Sequence, residues 1–161
     1  MRIVLEVAAL LLAAVTLSLT LAHALELPGK MKLARDEYLA VQRIYYPGFT
    51  IGGVCEPLTV VALAALLLAT PAATTQFLLL AAALVAAAAT HAIYWLVTAP
   101  VNKAWVQGQT LPPAAEHFFG KGQGPQVEWQ ALRNRWEGSH LARAATASVA
   151  FLLAVATAIA G

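Results

Sequence analysis

The chain has 161 residues, of which 60% are hydrophobic and only 11% are charged, and its mean hydropathy is +0.71. Soluble domains carry roughly 25% charged residues, so the composition excludes an ordinary soluble domain and predicts one integral membrane domain over residues 1–161. The formal net charge of +2 is too small to indicate a nucleic-acid partner, and a single cysteine excludes an internal disulfide.

The first apolar run covers residues 3–26 and is long enough to cross the roughly 30 Å of hydrocarbon in a bilayer. A cleaved signal peptide is the competing interpretation, but the run exceeds the usual apolar region of about 7–15 residues. His23 and Glu26 close the run three residues apart, and therefore on one helix face. The Pro-Gly pair at 28–29 is predicted to stop this helix.

Residues 30–46 mix charged and apolar side chains, which predicts a short amphipathic helix at the membrane surface between the first two spans. The second span is predicted over residues 49–69 and contains Glu56 followed by Pro57. A helix that began at Pro57 would be too short to cross the hydrocarbon. We therefore expect a kinked helix that begins near Phe49 and carries Glu56 inside it.

The third span is predicted over residues 74–97, with His91 near its far end. A long loop over 100–130 follows, and loops of that length often act as lids or binding elements. The fourth span is predicted over residues 130–160 and opens with a polar stretch. The sequence thus predicts an all-α protein, a transmembrane four-helix up-down bundle.

In such a bundle, ionisable side chains from all four spans lie at one end. The set comprises His23, Glu26, Glu56, His91, Glu137 and His140. Ionisable residues inside membrane spans are costly and mark functional sites. Glu137 and His140 also have the Glu-x-x-His spacing of carboxylate-bridged di-metal sites in four-helix bundles.

Several interpretations stay open at this point. In the first, the six residues bind iron or another transition metal in a mono- or dinuclear site, and Arg133, Arg143 and Asn102 hold the ligands or orient a substrate. In the second, two of the histidines ligate a haem. In the third, no metal binds, and the Glu/His/Arg cluster is structural or acts as a general base without a cofactor. An ion or proton pathway is a non-enzymatic alternative, although the opposite half of the bundle has almost no polar groups.

Two stretches of the second half carry a family resemblance. They contain His91, Trp95, Leu96, Val97, Thr98, Ala99, Pro100, Val101 and Asn102, followed by Trp129, Leu132, Arg133, Arg135, Trp136, Glu137, His140 and Arg143. With these residues the chain resembles the anthrone oxygenase-like family of small four-helix integral membrane proteins, most of them uncharacterised. The resemblance implies oxidation of an anthrone to an anthraquinone and implies no particular cofactor. Together with the ligand set, it predicts a metal-dependent oxidase or oxygenase acting on a hydrophobic, aromatic small molecule.

Basic residues predict the orientation, because short cytoplasmic loops are enriched in lysine and arginine. The end that carries the ionisable set also carries Lys30, Lys32, Arg35, Arg43, Lys103, Lys121, Arg133 and Arg135, whereas the opposite end carries Arg2. We therefore expect the site and the long loop to face the cytoplasm of a bacterial inner membrane, with both termini outside. The expected partners are the substrate and membrane lipid, with a homo-oligomer left open.

Overall fold

The computed structural model describes residues 2–45, 47–105 and 128–160, and this described part is helical without a β-strand. The helices are α1 (Arg2–Lys30), α2 (Arg35–Val41), α3 (Gly48–Gly53), α4 (Cys55–Leu68), α5 (Thr75–Ile93), α6 (Ala99–Trp105) and α7 (Trp129–Ile159). A 3₁₀ turn over Gln42–Tyr45 follows α2, and a π-helical turn over Tyr94–Thr98 joins α5 to α6.

Within the described residues, four helical stretches are long and apolar enough to cross a membrane. They are Arg2–Lys30, Gly48–Leu68, Thr75–Trp105 and Trp129–Ile159. The predicted all-α class is confirmed, and the four stretches are consistent with the predicted integral membrane protein. Helix α1 packs against α4 and α7, and α5 packs against the same two helices, so the long helices form a bundle.

One half of this bundle has a core built mainly from alanine and leucine. Its buried residues are Ala9, Ala62, Leu63, Leu66, Leu80, Ala83, Ala87, Ala150 and Ala154. The small alanine side chains let helix backbones approach closely, as is typical of packing between membrane helices. Large apolar side chains such as Leu11, Leu68 and Leu152 are exposed on the outside, where lipid would contact them.

Helix α1 continues beyond the predicted stop at Pro28 and ends at Lys30. Proline removes one backbone donor but leaves its carbonyl free to accept, and the next turn closes with Met31 N–H donating to Leu27 O at 3.0 Å. The extension places Lys30 one turn after Glu26 on the same face. It also buries the Lys30 side chain, which is 4% exposed.

The second helical stretch begins at Gly48, one residue before the predicted Phe49, rather than at Pro57. A single residue, Val54, interrupts it between α3 and α4. Pro57 lies in the first turn of α4, where its missing N–H costs no helical hydrogen bond. Glu56, in the same turn, is buried.

The third helical stretch is longer than predicted, because Pro100 does not end it. The π-helical turn precedes Pro100, with Ala99 N–H donating to Tyr94 O, and α6 then continues to Trp105. Asn102 therefore lies on a helix and is buried, rather than at the start of a loop. The remainder of the predicted loop, 106–127, lies outside the described residues.

The predicted surface helix corresponds to α2, which is shorter than 30–46. Its first turn is held by Ala34 N–H, which donates to the Glu37 carboxylate at 3.0 Å. Arg35 and Asp36 are exposed, whereas Tyr38 is completely buried and packs against the rings of Trp105 and Trp129. Helix α2 thus covers the polar end of the bundle through one tyrosine.

Candidate functional site

The polar end of the bundle encloses a cavity of about 300 Å³. Its polar walls are formed by His23, Glu56, His91, Asn102, His140 and Arg143, and its aromatic walls by Tyr45, Phe49, Tyr94, Trp95 and Trp136. The helices α1, α4, α5 and α7 each contribute at least one of these polar groups. The volume lies at the lower end of the range of small-molecule sites, roughly 300–1,000 Å³.

Glu56 is the central acceptor of the cavity. Its Oε2 accepts from Nη2 of Arg143, and its Oε1 lies 3.1 Å from Nδ1 of His91. Nε2 of His91 accepts from the indole N–H of Trp95 at 3.0 Å. Because an indole only donates, Nε2 of His91 carries a lone pair, and Nδ1 holds the proton that is donated to Glu56.

His140 is held through both of its ring nitrogens. Nδ1 lies 3.0 Å from the backbone carbonyl of Trp136, which only accepts, so this nitrogen carries the proton. Nε2 lies 3.2 Å from Nη1 of Arg143 and accepts from it. The indole of Trp136 is fixed in turn by donation to Oδ1 of Asn102 at 2.8 Å. This network makes Arg143 a bridge between Glu56 and His140.

The ring of His23 packs directly against the ring of His140 in the cavity wall, with ring centroids 4.2 Å apart. Rings of Tyr45, Phe49 and Trp136 pack against it at 4.4, 4.7 and 5.0 Å. Its Nδ1 is buried without a hydrogen-bond partner among the described residues. His23 is therefore a buried polar group with capacity for a further partner.

A second polar cluster, which we call the lysine cluster, contains Glu26, Lys30, Tyr38 and Glu137. Nζ of Lys30 lies 3.2 Å from Oε1 of Glu137 and 3.6 Å from Oε2 of Glu26. The Tyr38 hydroxyl donates to Glu137 at 2.7 Å. The Tyr45 hydroxyl donates to Glu26 at 2.6 Å, while its ring lines the cavity.

The two tyrosines of this region keep their protons. Burial, together with the hydrogen bond to the Glu137 carboxylate, raises the pKa of Tyr38. Burial and the bond to Glu26 raise the pKa of Tyr45 in the same way. Both phenols therefore remain donors at neutral pH.

The structure divides the six predicted metal ligands between the cavity and the lysine cluster. His23, Glu56, His91 and His140 line the cavity, whereas Glu26 and Glu137 belong to the lysine cluster. Within the described ranges, no three His, Cys, Asp or Glu side chains lie close enough together to hold a metal ion. The charges of Arg143 and Lys30 lie against the carboxylates instead.

The three predicted supporting residues also separate. Arg143 and Asn102 line the cavity, whereas Arg133 stacks over the Trp129 ring at 4.9 Å and contacts Asn134. Sequence reasoning placed Lys30 at the polar end, but it missed Lys30, Tyr38 and Tyr45 as partners of Glu26 and Glu137. The signal for Lys30 was its spacing of four from Glu26, which places both on one helix face.

Comparison with models of protein families, with curated proteins and with solved structures gave no match.

Proposed function

We propose that this protein is a membrane-embedded oxidase that takes a flat, hydrophobic phenol or polycyclic ketone into the cavity and oxidises it with O₂. The observation that carries the proposal is the cavity itself, because aromatic walls there surround the Glu56, His91 and Arg143 network. Small-molecule sites combine mostly apolar walls with a few placed polar groups in this way. The resemblance to the anthrone oxygenase-like family points to the same activity.

The base that we propose is Nε2 of His91. Once the Trp95 N–H is displaced, this lone pair can remove a proton from an acidic C–H of the substrate. Glu56 accepts from the Nδ1–H of the same ring and would stabilise the imidazolium that forms. Arg143 would stabilise negative charge on the substrate oxygen, because its guanidinium borders the cavity and is largely withdrawn from water.

The oxidation then needs no reagent other than the substrate and O₂. The substrate carbanion transfers electrons to O₂ and forms a C–O bond, which gives a peroxide anion. The His91 imidazolium returns its proton, and the resulting hydroperoxide loses water to give a new carbonyl group. One O₂ is consumed and one water is released for each CH₂ converted to C=O.

The test is turnover of anthrone by the purified protein in nanodiscs, followed by anthraquinone absorbance and O₂ consumption above the uncatalysed rate. We expect His91→Gln and Glu56→Gln to lower kcat by roughly 10²–10⁴-fold, the usual contribution of a general base. Arg35→Gln, at an exposed position on α2, is the matched control and should retain full activity. Wild-type protein that never exceeds the background rate would refute the proposal.

A metal-dependent form of the same reaction is the second candidate. It is favoured by Nδ1 of His23, which is buried without a partner among the described residues and therefore has a lone pair or proton to share. Metal loading would require Arg143 to release Glu56 or His140. Stoichiometric iron by elemental analysis would support this form, and a Soret band in the absorption spectrum would indicate haem. If neither is found, the reaction is catalysed by the base without a cofactor.

We further propose that the four long helices run alternately up and down through the membrane, with the orientation that the sequence predicts. The end of α1, the start of α4, the end of α5 and the start of α7 all contribute to one cavity. At the opposite end Arg2 donates to Gln76, at the start of α5, across 3.3 Å. With the basic residues concentrated at the cavity end, this end faces the cytoplasm of a bacterial inner membrane.

A further inference from the structure

We propose that the ligand of this cavity enters sideways from the bilayer, through a mouth between Val54 and Trp95. The kind of ligand is taken from the proposed function, on which this inference rests. The route by which the ligand enters is new. The ligand class that follows is a lipid-dissolved molecule with a planar ring system, whose alkyl substituents extend back through the mouth into lipid.

The first observation is where the cavity walls are exposed. Most wall residues are buried or half-buried, but Val54 is 45% exposed and Trp95 is 44% exposed. Just inside them, the His91 side chain is 34% exposed. The opening therefore lies beside the proposed base.

The second observation is that this opening faces an apolar surface. Ile51, Leu58 and Leu96 surround Val54 and Trp95 in sequence and are exposed by 69%, 45% and 71%. All belong to helical stretches that are long and apolar enough to span a membrane. A mouth framed by such side chains opens to lipid rather than to water.

The third observation is that the other described walls are covered. Towards the membrane surface they include Tyr45, Asn102 and Trp136, which are buried, and Gln42 and Phe49, which are half-buried. Towards the apolar half the wall includes buried Thr16, whose hydroxyl lies 3.4 Å from that of Thr59. Among the described wall residues Val54 and Trp95 alone are exposed, so the side between α4 and the π-helical turn is the access route that we propose.

The backbone is irregular on both sides of the mouth. The break between α3 and α4 falls at Val54, and the π-helical turn begins at Tyr94. Single π-helical turns are frequent at functional sites because they shift side chains out of helical register. Between α1 and α3, by contrast, Leu19 packs directly on Gly52, where an added Cβ would lie 2.5 Å from Leu19 Cδ1. That contact closes the neighbouring gap.

Trp95 links entry of the ligand to exposure of the proposed base, His91. Its indole stands at the mouth and its N–H caps Nε2 of His91. A ring that swings outward to admit the ligand also releases the lone pair that the reaction needs. The base is therefore uncovered as the substrate arrives.

The experiment measures anthraquinone binding in nanodiscs by quenching of tryptophan fluorescence in a stopped-flow instrument, which requires no turnover. Val54→Trp fills the mouth and should slow association by about tenfold or more, because binding then waits for a conformational change. Leu96→Trp adds the same ring to the lipid face without lining the cavity, and should bind like wild type. Equal association rates for both variants would overturn the proposal, as would failure of wild type to bind anthraquinone.

A spin label tests the surroundings of the mouth in a folded variant. Val54→Cys in a Cys55→Ser background, labelled with a nitroxide, should be relaxed by O₂ from the lipid and shielded from a water-soluble nickel chelate. Relaxation by the chelate would place the mouth in water and overturn the inference. Slow association in Val54→Trp without any oxidase activity in wild type would uphold the route and refute the oxidase. Oxidase activity in wild type together with wild-type association in Val54→Trp would do the reverse.

Discussion

Lys30 is the residue whose burial and pairing were hardest to predict from the sequence. It opens the charged stretch that also carries Lys32, Arg35 and Asp36, and a lysine at the end of a membrane helix normally extends its amine towards water. Here α1 continues through Pro28, so the Lys30 side chain points into the bundle and lies between Glu26 and Glu137. Glu137 thus pairs with Lys30, which was not among the predicted members of the Glu/His/Arg cluster.

Removing the Lys30 charge should destabilise the protein strongly. Breaking a buried ion pair by deleting one partner typically costs about 3–5 kcal/mol, because the other charge is left buried and unpaired. We expect Lys30→Met to lower the free energy of unfolding by this amount, and Lys30→Met combined with Glu137→Gln to recover most of it. The measurement is equilibrium unfolding in mixed micelles, with Arg35→Gln as an exposed control that changes stability little. A double variant as unstable as Lys30→Met would show that the pair is not the cause.

Helix ends are where the sequence was least informative. Pro28 and Pro100 are both helix stops in water, yet helical structure passes through each of them. In a bilayer, unpaired backbone groups cannot turn to water, so continuing the helix or adding a π-helical turn satisfies more of them than ending it. The four apolar segments were predictable because length and hydropathy alone specify them. The continuation of helical structure past Pro28 and Pro100 was not predictable, because it depends on the surroundings of each proline.

Helix α2 is predicted to depend on a single hydroxyl. Tyr38 is buried and donates to Glu137, so Tyr38→Phe removes a hydrogen bond to a charged group while it preserves the ring. We expect amide hydrogen exchange over residues 35–41 to accelerate, with exchange in α5 unchanged. Asp36→Asn, on the exposed side of the same helix, is the control. Unchanged protection in the Tyr38 variant would mean that ring packing alone holds α2.

At the scale of the whole molecule, the sequence predicted one polar end of the bundle, and four of the six predicted ligands line one cavity. His23, Glu56, His91 and His140 meet at one cavity because each lies on the part of its helix that runs through the polar end of the bundle. The division into a cavity and a lysine cluster was not predictable. It depends on the rotation of each helix about its axis, which small differences in packing decide.

The orientation prediction belongs to the molecule as a whole. Because basic residues are concentrated at the cavity end, the end of α7 should lie outside the cytoplasm. Alkaline phosphatase fused after α7 should be active and green fluorescent protein at the same place should be dark. The opposite pair of signals would place the cavity at the outer face and favour a substrate from outside the cell.

Tyr45 belongs to the cavity with its ring and to the lysine cluster with its hydroxyl. A ligand that bound more tightly with the Tyr45 hydroxyl on Glu26 than without it would strengthen that bond, and with it the hold on Lys30. Such coupling is reciprocal by thermodynamic necessity: the factor by which an intact cluster alters ligand affinity equals the factor by which the ligand alters the cluster's own equilibrium. Occupancy of the cavity would in this way be communicated to the lysine cluster.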